Sequence, residues 1–286
     1  MGLSQKQKNK SVDGEEKIMV TLQKVISDIR SLKIQGAQTT AEAALKAWDA
    51  AKNKKLASKL LKAARPTEPM LVNAINAAER GSDPKRLIDK FKSDKEKIYK
   101  FGADLIKNNS VIFTHCHSST VAGILKEAKK QGKKFEVHNT ETRPLYQGRL
   151  TASELAKAGI KVNHYIDSAA LQAMKSADIF LIGADAITKE GTYNKIGTEM
   201  FAEIANKYFK IPIYCCSHSW KFSTKKVAIE SRPAKEIWAN APKNVVIKNP
   251  AFEIACSEHV KGIVSEYGVL NFRDFVKKEL ERHKRL

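Results

Sequence analysis

The 286-residue chain is 42% hydrophobic with only 14 Gly and 8 Pro, which supplies a large core and excludes a fibrous or low-complexity protein. Its 51 Lys plus Arg against 31 Asp plus Glu give a formal charge of +20, which favours anionic partners: nucleic acid, phosphorylated metabolites or acidic proteins. The lysines recur singly on helix faces, as on a solvated surface, and there is no aromatic-rich RNA-recognition signature, so nucleic acid is the minor reading. Cys116, Cys215, Cys216 and Cys256 lack zinc-ribbon spacing, and the opening MGLSQKQKNK has no signal-peptide-like apolar stretch. No run approaches the roughly 18 apolar residues of a membrane span. The expectation is a reduced, cytoplasmic protein that does not engage a membrane.

Residues 1–14 are polar and expected to be a disordered tail. From Lys17 to Ile34 the residues Ile18, Leu22, Val25, Ile29 and Leu32 form one apolar stripe at helical spacing, which Gly36 breaks. Ala41–Ala51, Lys55–Ala64, Met70–Arg80 and Ser93–Asn108 read as further helices, giving a helical subdomain over 15–108. Over 109–286 short apolar runs alternate with helical stretches. VIFTHC is followed by a helix from Ser119 to Gln131, FEVHNT by TASELAKAG, then come VNHYID, DIFLIGAD, a helix after NKIGT, IPIYCCS, VVIKNPAFEIA and a last helix from Phe272 to His283. Such alternation predicts an α/β fold, a Rossmann-like domain with a mainly parallel sheet, in which ligands sit at the carboxyl ends of the strands.

The segments that follow the strands are rich in reactive groups: Thr114 to Thr120, Glu141-Thr142-Arg143-Pro144, Asp167-Ser168, Gly183-Ala184-Asp185 and Ser217 to Lys221. Ser118, Ser119 and Thr120 open a helix, where they either cradle a phosphate or cap the helix. Arg143 offers a planar fork for phosphate, and Lys195 and Lys221 offer point charges. Cys116, beside His115 and His117 near a helix N-terminus, is placed for thiolate formation, or else is a small buried apolar residue. Asp185 closes an apolar strand, where a desolvated carboxyl holds a proton or simply caps the next turn. A thiol and a carboxyl facing one another over a phosphate suit proton transfer alpha to a carbonyl, as in aldose–ketose isomerisation, with no cofactor. A metal is not expected, because His115, Cys116 and His117 point in differing directions along a strand. No dinucleotide fingerprint or P-loop is present. Cys215-Cys216 lies in an apolar strand and reads as core.

THCHSST at 114–120, TETRPLYQGRLTA at 140–152, GADAI at 183–187, NKIGT at 194–198 and WKF at 220–222, in that order, resemble a known superfamily. It contains the regulatory subunits of translation initiation factor 2B, methylthioribose-1-phosphate isomerase and archaeal ribose 1,5-bisphosphate isomerase. The resemblance runs from Ile18 to the C-terminus. It implies that Cys116 and Asp185 are catalytic, since the isomerases carry Cys and Asp there and the factor subunits generally do not. It further implies ligand contacts at Gly36, Ala37, Arg65, Ser118, Arg143, Asn194, Lys195 and Lys221. Gln35 stands where bisphosphate isomerases have Arg, and Ser119 where they have Lys, so two phosphate-binding cations are missing. The activity implied is isomerisation of a phosphorylated ribose, foremost ribose 1,5-bisphosphate to ribulose 1,5-bisphosphate. The alternative is a regulatory subunit that binds a sugar phosphate or nucleotide and initiation factor 2 without turnover; methylthioribose-1-phosphate isomerisation is a third. A homodimer or larger homo-oligomer is also implied.

Overall fold

A computed structural model describes residues 21–285, so the expected 1–14 tail and Ile18 lie outside the described residues. The chain divides into two compact units, Met1–Lys92 and Ser93–Leu286. That division falls inside one helix, Pro84–Asp104, upstream of the change in sequence texture at 109. No described helix is long and apolar enough to cross a membrane.

The first unit is helical. Among the described residues helix α1 includes 21–30 and buries Leu22 and Ile29 of the apolar stripe, together with Ile26. Helix α2 (Ala37–Ala50) begins earlier than its pattern suggested, because Gly36 at φ +83° supplies the turn into it. Asn53 caps α3 (Lys54–Ala64) by accepting from the Leu56 N–H at 2.9 Å. Helix α4 (Pro69–Glu79) starts with Pro where no N–H is needed. Helix α5 (Pro84–Asp104) begins nine residues before the expected Ser93 (93 − 84), because Asp83 accepts from the Arg86 N–H at 2.8 Å and Pro84 fits the first turn.

The second unit is built on a seven-stranded sheet. Its strands are β1 (Ser110–Thr114), β2 (Phe135–Thr140), β3 (Lys161–Tyr165), β4 (Ile179–Ile182), β7 (Ile213–Cys216), β9 (Val260–Ser265) and β10 (Gly268–Leu270). They lie in the order β10-β9-β7-β4-β1-β2-β3, parallel except for β10. The helices are α6 (Ser119–Lys130), α7 (Gln147–Lys157), α8 (Ala170–Met174), α9 (Thr198–Ile204) and α10 (Phe272–Arg285). Strand β4 (IFLI) is apolar throughout, and β1 (SVIFT) is apolar between its terminal hydroxyl residues, because both faces are covered. Phe113, Phe180 and Ile182 enter one core with Phe201 and Phe275, while Ile112, Ile179 and Leu181 enter the other with Val121 and Leu125. Cys215 and Cys216 divide between the two cores in the same alternation, as packing residues.

A second sheet, antiparallel β5-β6-β8, lies at residues that sequence patterning largely missed. Strand β5 (Ala186–Ile187) has two residues and β6 (Gly191–Lys195) reads GTYNK, too short and polar for a periodic signal. The expected strand VVIKNPAFEIA is corrected to β8 (Phe252–Cys256) alone. Val246 is 76% exposed, and Pro250, lacking an N–H, interrupts the run.

Close backbone packing fixes where the β2–α7 loop begins. A Cβ on Gly148 would stand 1.7 Å from the Thr140 carbonyl oxygen, and Asn139 donates to the Gly148 carbonyl at 2.8 Å. A Gly148→Ala substitution is expected to lower unfolding free energy by about 1–3 kcal/mol, the usual range for overpacking. Denaturant unfolding checks this; an unchanged midpoint would show that the loop is not held there.

Candidate active site

The chain leaves β1 toward β2 and β3, then returns to β4 on the other side of β1. Such a reversal opens a crevice at the carboxyl ends of the two central strands. Cys116 follows β1 by two residues and Asp185 follows β4 by three, so both lie at that edge. The strands are tied there by the Thr114 hydroxyl, which donates to the Leu181 carbonyl at 2.8 Å. A Cβ on Gly183 would come within 2.7 Å of the Ser118 side chain. Glycine therefore lets the two strand-end loops touch.

Cys116 has φ +66° and Thr142 has φ +65°, conformations that cost about 1–3 kcal/mol outside glycine and persist only where neighbours enforce them. The enforcing contacts are identifiable. The Cys116 N–H donates to Thr142 Oγ1 at 3.0 Å, and the Thr151 hydroxyl donates to the Cys116 carbonyl at 2.9 Å. Asp167 accepts from the Thr142 N–H at 2.8 Å and the Arg143 N–H at 2.7 Å. Arg143 is exposed, its guanidinium donating to the Tyr146 hydroxyl with its centre 5.1 Å from that ring.

His115 braces a third loop. Its Nε2 lies 3.1 Å from the Ile196 carbonyl, which can only accept, so Nε2 carries the proton and Nδ1 accepts from the Thr140 hydroxyl at 2.7 Å. Burial pulls its pKa down to about 4, leaving the ring neutral. Burial also lowers His117, whose Nδ1 is 3.0 Å from Thr151 Oγ1. Neither histidine supplies the positive charge expected beside the thiol.

Of the two readings of Cys116, a thiolate or a small buried residue, the surroundings favour the protonated, buried thiol. Burial pushes its pKa up to about 12, and the nearby charges of Asp185 and Asp167 push the same way. The His117 backbone N–H and the Lys195 ammonium pull downward but lose to desolvation. The resting group is a neutral, half-buried thiol at the carboxyl edge of the sheet.

The cations converge from other elements. Asn194 and Lys195 end β6, paired with Glu253 and Phe252 of β8, and each is 6% exposed. Asn194 donates to the Thr198 hydroxyl at 3.1 Å, and that hydroxyl donates to the Lys195 carbonyl at 2.6 Å. Lys221, in a short turn Ser219–Lys221, donates to the Ala184 carbonyl next to Asp185. Ser118 serves as the N-cap of α6, accepting from the Val121 N–H at 3.3 Å. Ser119 is exposed and Thr120 half-buried in the first turn. Gly36, Ala37 and Arg65 belong to the first unit: Gly36 and Ala37 start α2, and Arg65 is the C-cap of α3. Asp167, Thr140 and Thr151 were missed as site-forming residues. Asp167 is visible after β3, but a carboxylate in an anion site reads wrongly until its backbone N–H partners are known.

Comparison with known proteins identifies the family. Residues 11–272 match the model of the Initiation factor 2 subunit family. The ribose 1,5-bisphosphate isomerase of Methanocaldococcus jannaschii is 34% identical, over 88% of this chain and 92% of that protein. A methylthioribose-1-phosphate isomerase of Thermoanaerobacter is 36% identical over 61% of this chain and 57% of its own length. The crystal structure of the Pyrococcus horikoshii translation initiation factor eIF-2B superposes with a TM-score of 0.76 at 26% identity, covering 89% of this chain and 98% of that one. The chain belongs to the Initiation factor 2 subunit family.

Proposed function

We propose that this chain is an aldose–ketose isomerase of a phosphorylated ribose, acting foremost on ribose 1,5-bisphosphate to give ribulose 1,5-bisphosphate. The observation that carries the reading is the thiol of Cys116 and the carboxyl of Asp185 at the ends of the two central strands, with Lys195 and Lys221 beside them. The archaeal relatives named ribose 1,5-bisphosphate isomerase support it: that of Methanocaldococcus jannaschii is 34% identical over 88% of this chain, and that of Thermococcus kodakarensis 34% identical over 94%.

The chemistry requires four proton movements. Opening the sugar ring breaks the bond from C1 to the ring oxygen, which needs a proton; forming the ketose removes protons from C2 and its hydroxyl and adds one at C1. Two protons are delivered and two are taken, so hydrogen is rearranged within the substrate and no external oxidant enters. Cys116 starts as a neutral thiol, which suits it to protonate the ring oxygen first and to act as a base once it has become a thiolate. Asp185 handles the second give-and-take from the β4 side. Lys195, Lys221 and Arg143 hold phosphate, with Arg143 able to swing from Tyr146 at an exposed rim. Ser118 is proposed as a backbone and hydroxyl contact, Ser119 and Thr120 as lesser ones at the start of α6.

A second reading has its own support, because solved neighbours include proteins named translation initiation factor eIF-2B, and Gln35 and Ser119 stand where the resemblance implies phosphate-binding cations. In it the same crevice binds a sugar phosphate or nucleotide without turnover, and the chain engages initiation factor 2. Either way we propose a homodimer or larger homo-oligomer, in the cytoplasm.

Incubation with α-ribose 1,5-bisphosphate, methylthioribose 1-phosphate and ribose 5-phosphate, followed by ketose detection, tests the assignment. Turnover on the bisphosphate is expected, falling about 10²–10⁴-fold in Cys116→Ser and in Asp185→Asn. Ketose formation undiminished by Cys116→Ser would overturn the assigned chemistry. Silence on all three substrates, with initiation factor 2 retained on purification, would establish the regulatory reading instead.

A further inference from the structure

Away from the strand-end crevice, α9 and the turn between β8 and β9 bring two carboxylates and an imidazole together. Glu199 and Glu203 are four residues apart on α9 and share one face of it. His259 occupies the turn. Its Nε2 lies 3.5 Å from Oε1 of Glu199 and 3.2 Å from Oε1 of Glu203, and the three candidate ligand atoms are all within 4.8 Å of one another. A tetrahedral cation with ligands about 2.0–2.2 Å away sets ligand-to-ligand edges of about 3.3–3.6 Å. The 3.5 Å spacing falls within that range and the 3.2 Å spacing lies just below it.

Two carboxylates near a histidine would be unremarkable alone. The second observation concerns His259 itself: its side chain is only 7% exposed, and Nε2 has no hydrogen-bond partner among the described residues. Both carboxylate oxygens are near enough to accept from it, yet neither is aligned to do so. A buried polar nitrogen left in this state is costly unless something else satisfies it.

The surrounding contacts orient the three groups inward. The Cys256 N–H donates to Oε2 of Glu199 at 2.9 Å, which leaves Oε1 facing His259. Lys207 pairs with Oε2 of Glu203, again leaving Oε1. Asn206, in the π turn that continues α9, has its side-chain amide nitrogen 3.1 Å from His259 Nδ1. Turning that amide over puts its oxygen at Nδ1, so that with a cation bound Nδ1–H donates to Asn206 and the Nε2 lone pair is free to ligate. The other His–carboxylate cluster, Asp94, His218 and Glu266, is differently committed. Lys97 holds Asp94 at 3.1 Å, and Glu266 accepts from the Ser219 N–H at 3.0 Å and from the Ser219 hydroxyl.

We propose that Glu199, Glu203 and His259 bind one divalent transition-metal cation of the zinc class, clamping α9 to the β8–β9 turn. One nitrogen and two oxygen ligands suit Zn²⁺, with water completing the shell. The role is structural: α9 begins at Thr198, three residues after Lys195, and the Glu199 N–H is already tied to Glu253 of β8 at 2.9 Å. Sequence spacing could not reveal the site, because the helix and the turn meet only in the fold.

The full-length protein, stripped with a chelator and dialysed, is titrated with Zn²⁺ against a chromophoric competitor, alongside Glu203→Gln and His259→Ala. The wild type is expected to bind one high-affinity Zn²⁺ that both variants lose by at least about tenfold, and saturating Zn²⁺ is expected to raise its Tm by roughly 5 °C. Glu203 is 36% exposed, so its Gln variant keeps the test alive if His259→Ala does not fold. Zinc binding in which Glu203→Gln equals the wild type, or no binding by the wild type, would overturn the proposal.

Discussion

The pairing of β1 with β4 is the constraint on which the rest depends. Both strands are sealed on both faces, so their apolar side chains must alternate between two cores, and the register sets Thr114 opposite Leu181. Because the chain departs from β1 in one direction and re-enters at β4 in the other, the loops after these strands cannot close over one another. The opening they leave is where Cys116 and Asp185 stand. Gly183 then allows Ser118 to come close, and a side chain there would force the loops apart.

Burial, rather than proximity to charge, decides the state of the groups in this opening. A helix N-terminus, an ammonium and two histidines around Cys116 would favour a thiolate in water. Desolvation outweighs the charges, and it also neutralises the histidines that would have helped. His115 becomes a brace between β1, β2 and the loop after β6, and its direction is fixed by a carbonyl that can only accept. The same rigidity holds Cys116 and Thr142 at positive φ, so the position of the sulfur is fixed by four backbone hydrogen bonds: to Cys116, Thr142 and Arg143.

Much of this was legible in the sequence, for physical reasons. Long apolar runs bounded by polar turns gave the parallel strands, and the rule for strand ends pointed to Cys116, Asp185 and Lys221. The hairpin of β5 and β6 escaped because strands of two and five residues carry no period, although Lys195 at its end was noticed as a cation. The start of α5 was marked by Asp83-Pro84 and passed over. The charge state of Cys116 was out of reach, since neighbours in sequence announce charges while desolvation depends on what packs from elsewhere. Asp167 stood out after β3, but its role did not, because its partners are backbone N–H groups on another loop.

The central claim is that a neutral, desolvated thiol stands at the switch between β1 and β4. The most direct test is the pH dependence of Cys116 alkylation by iodoacetamide in the intact protein, read at the Cys116 peptide by mass spectrometry. The account predicts slow labelling with no ionisation step between about pH 6 and pH 9, because the thiolate stays scarce across that range. A midpoint at or below neutral pH would contradict it and make Cys116 a resting thiolate.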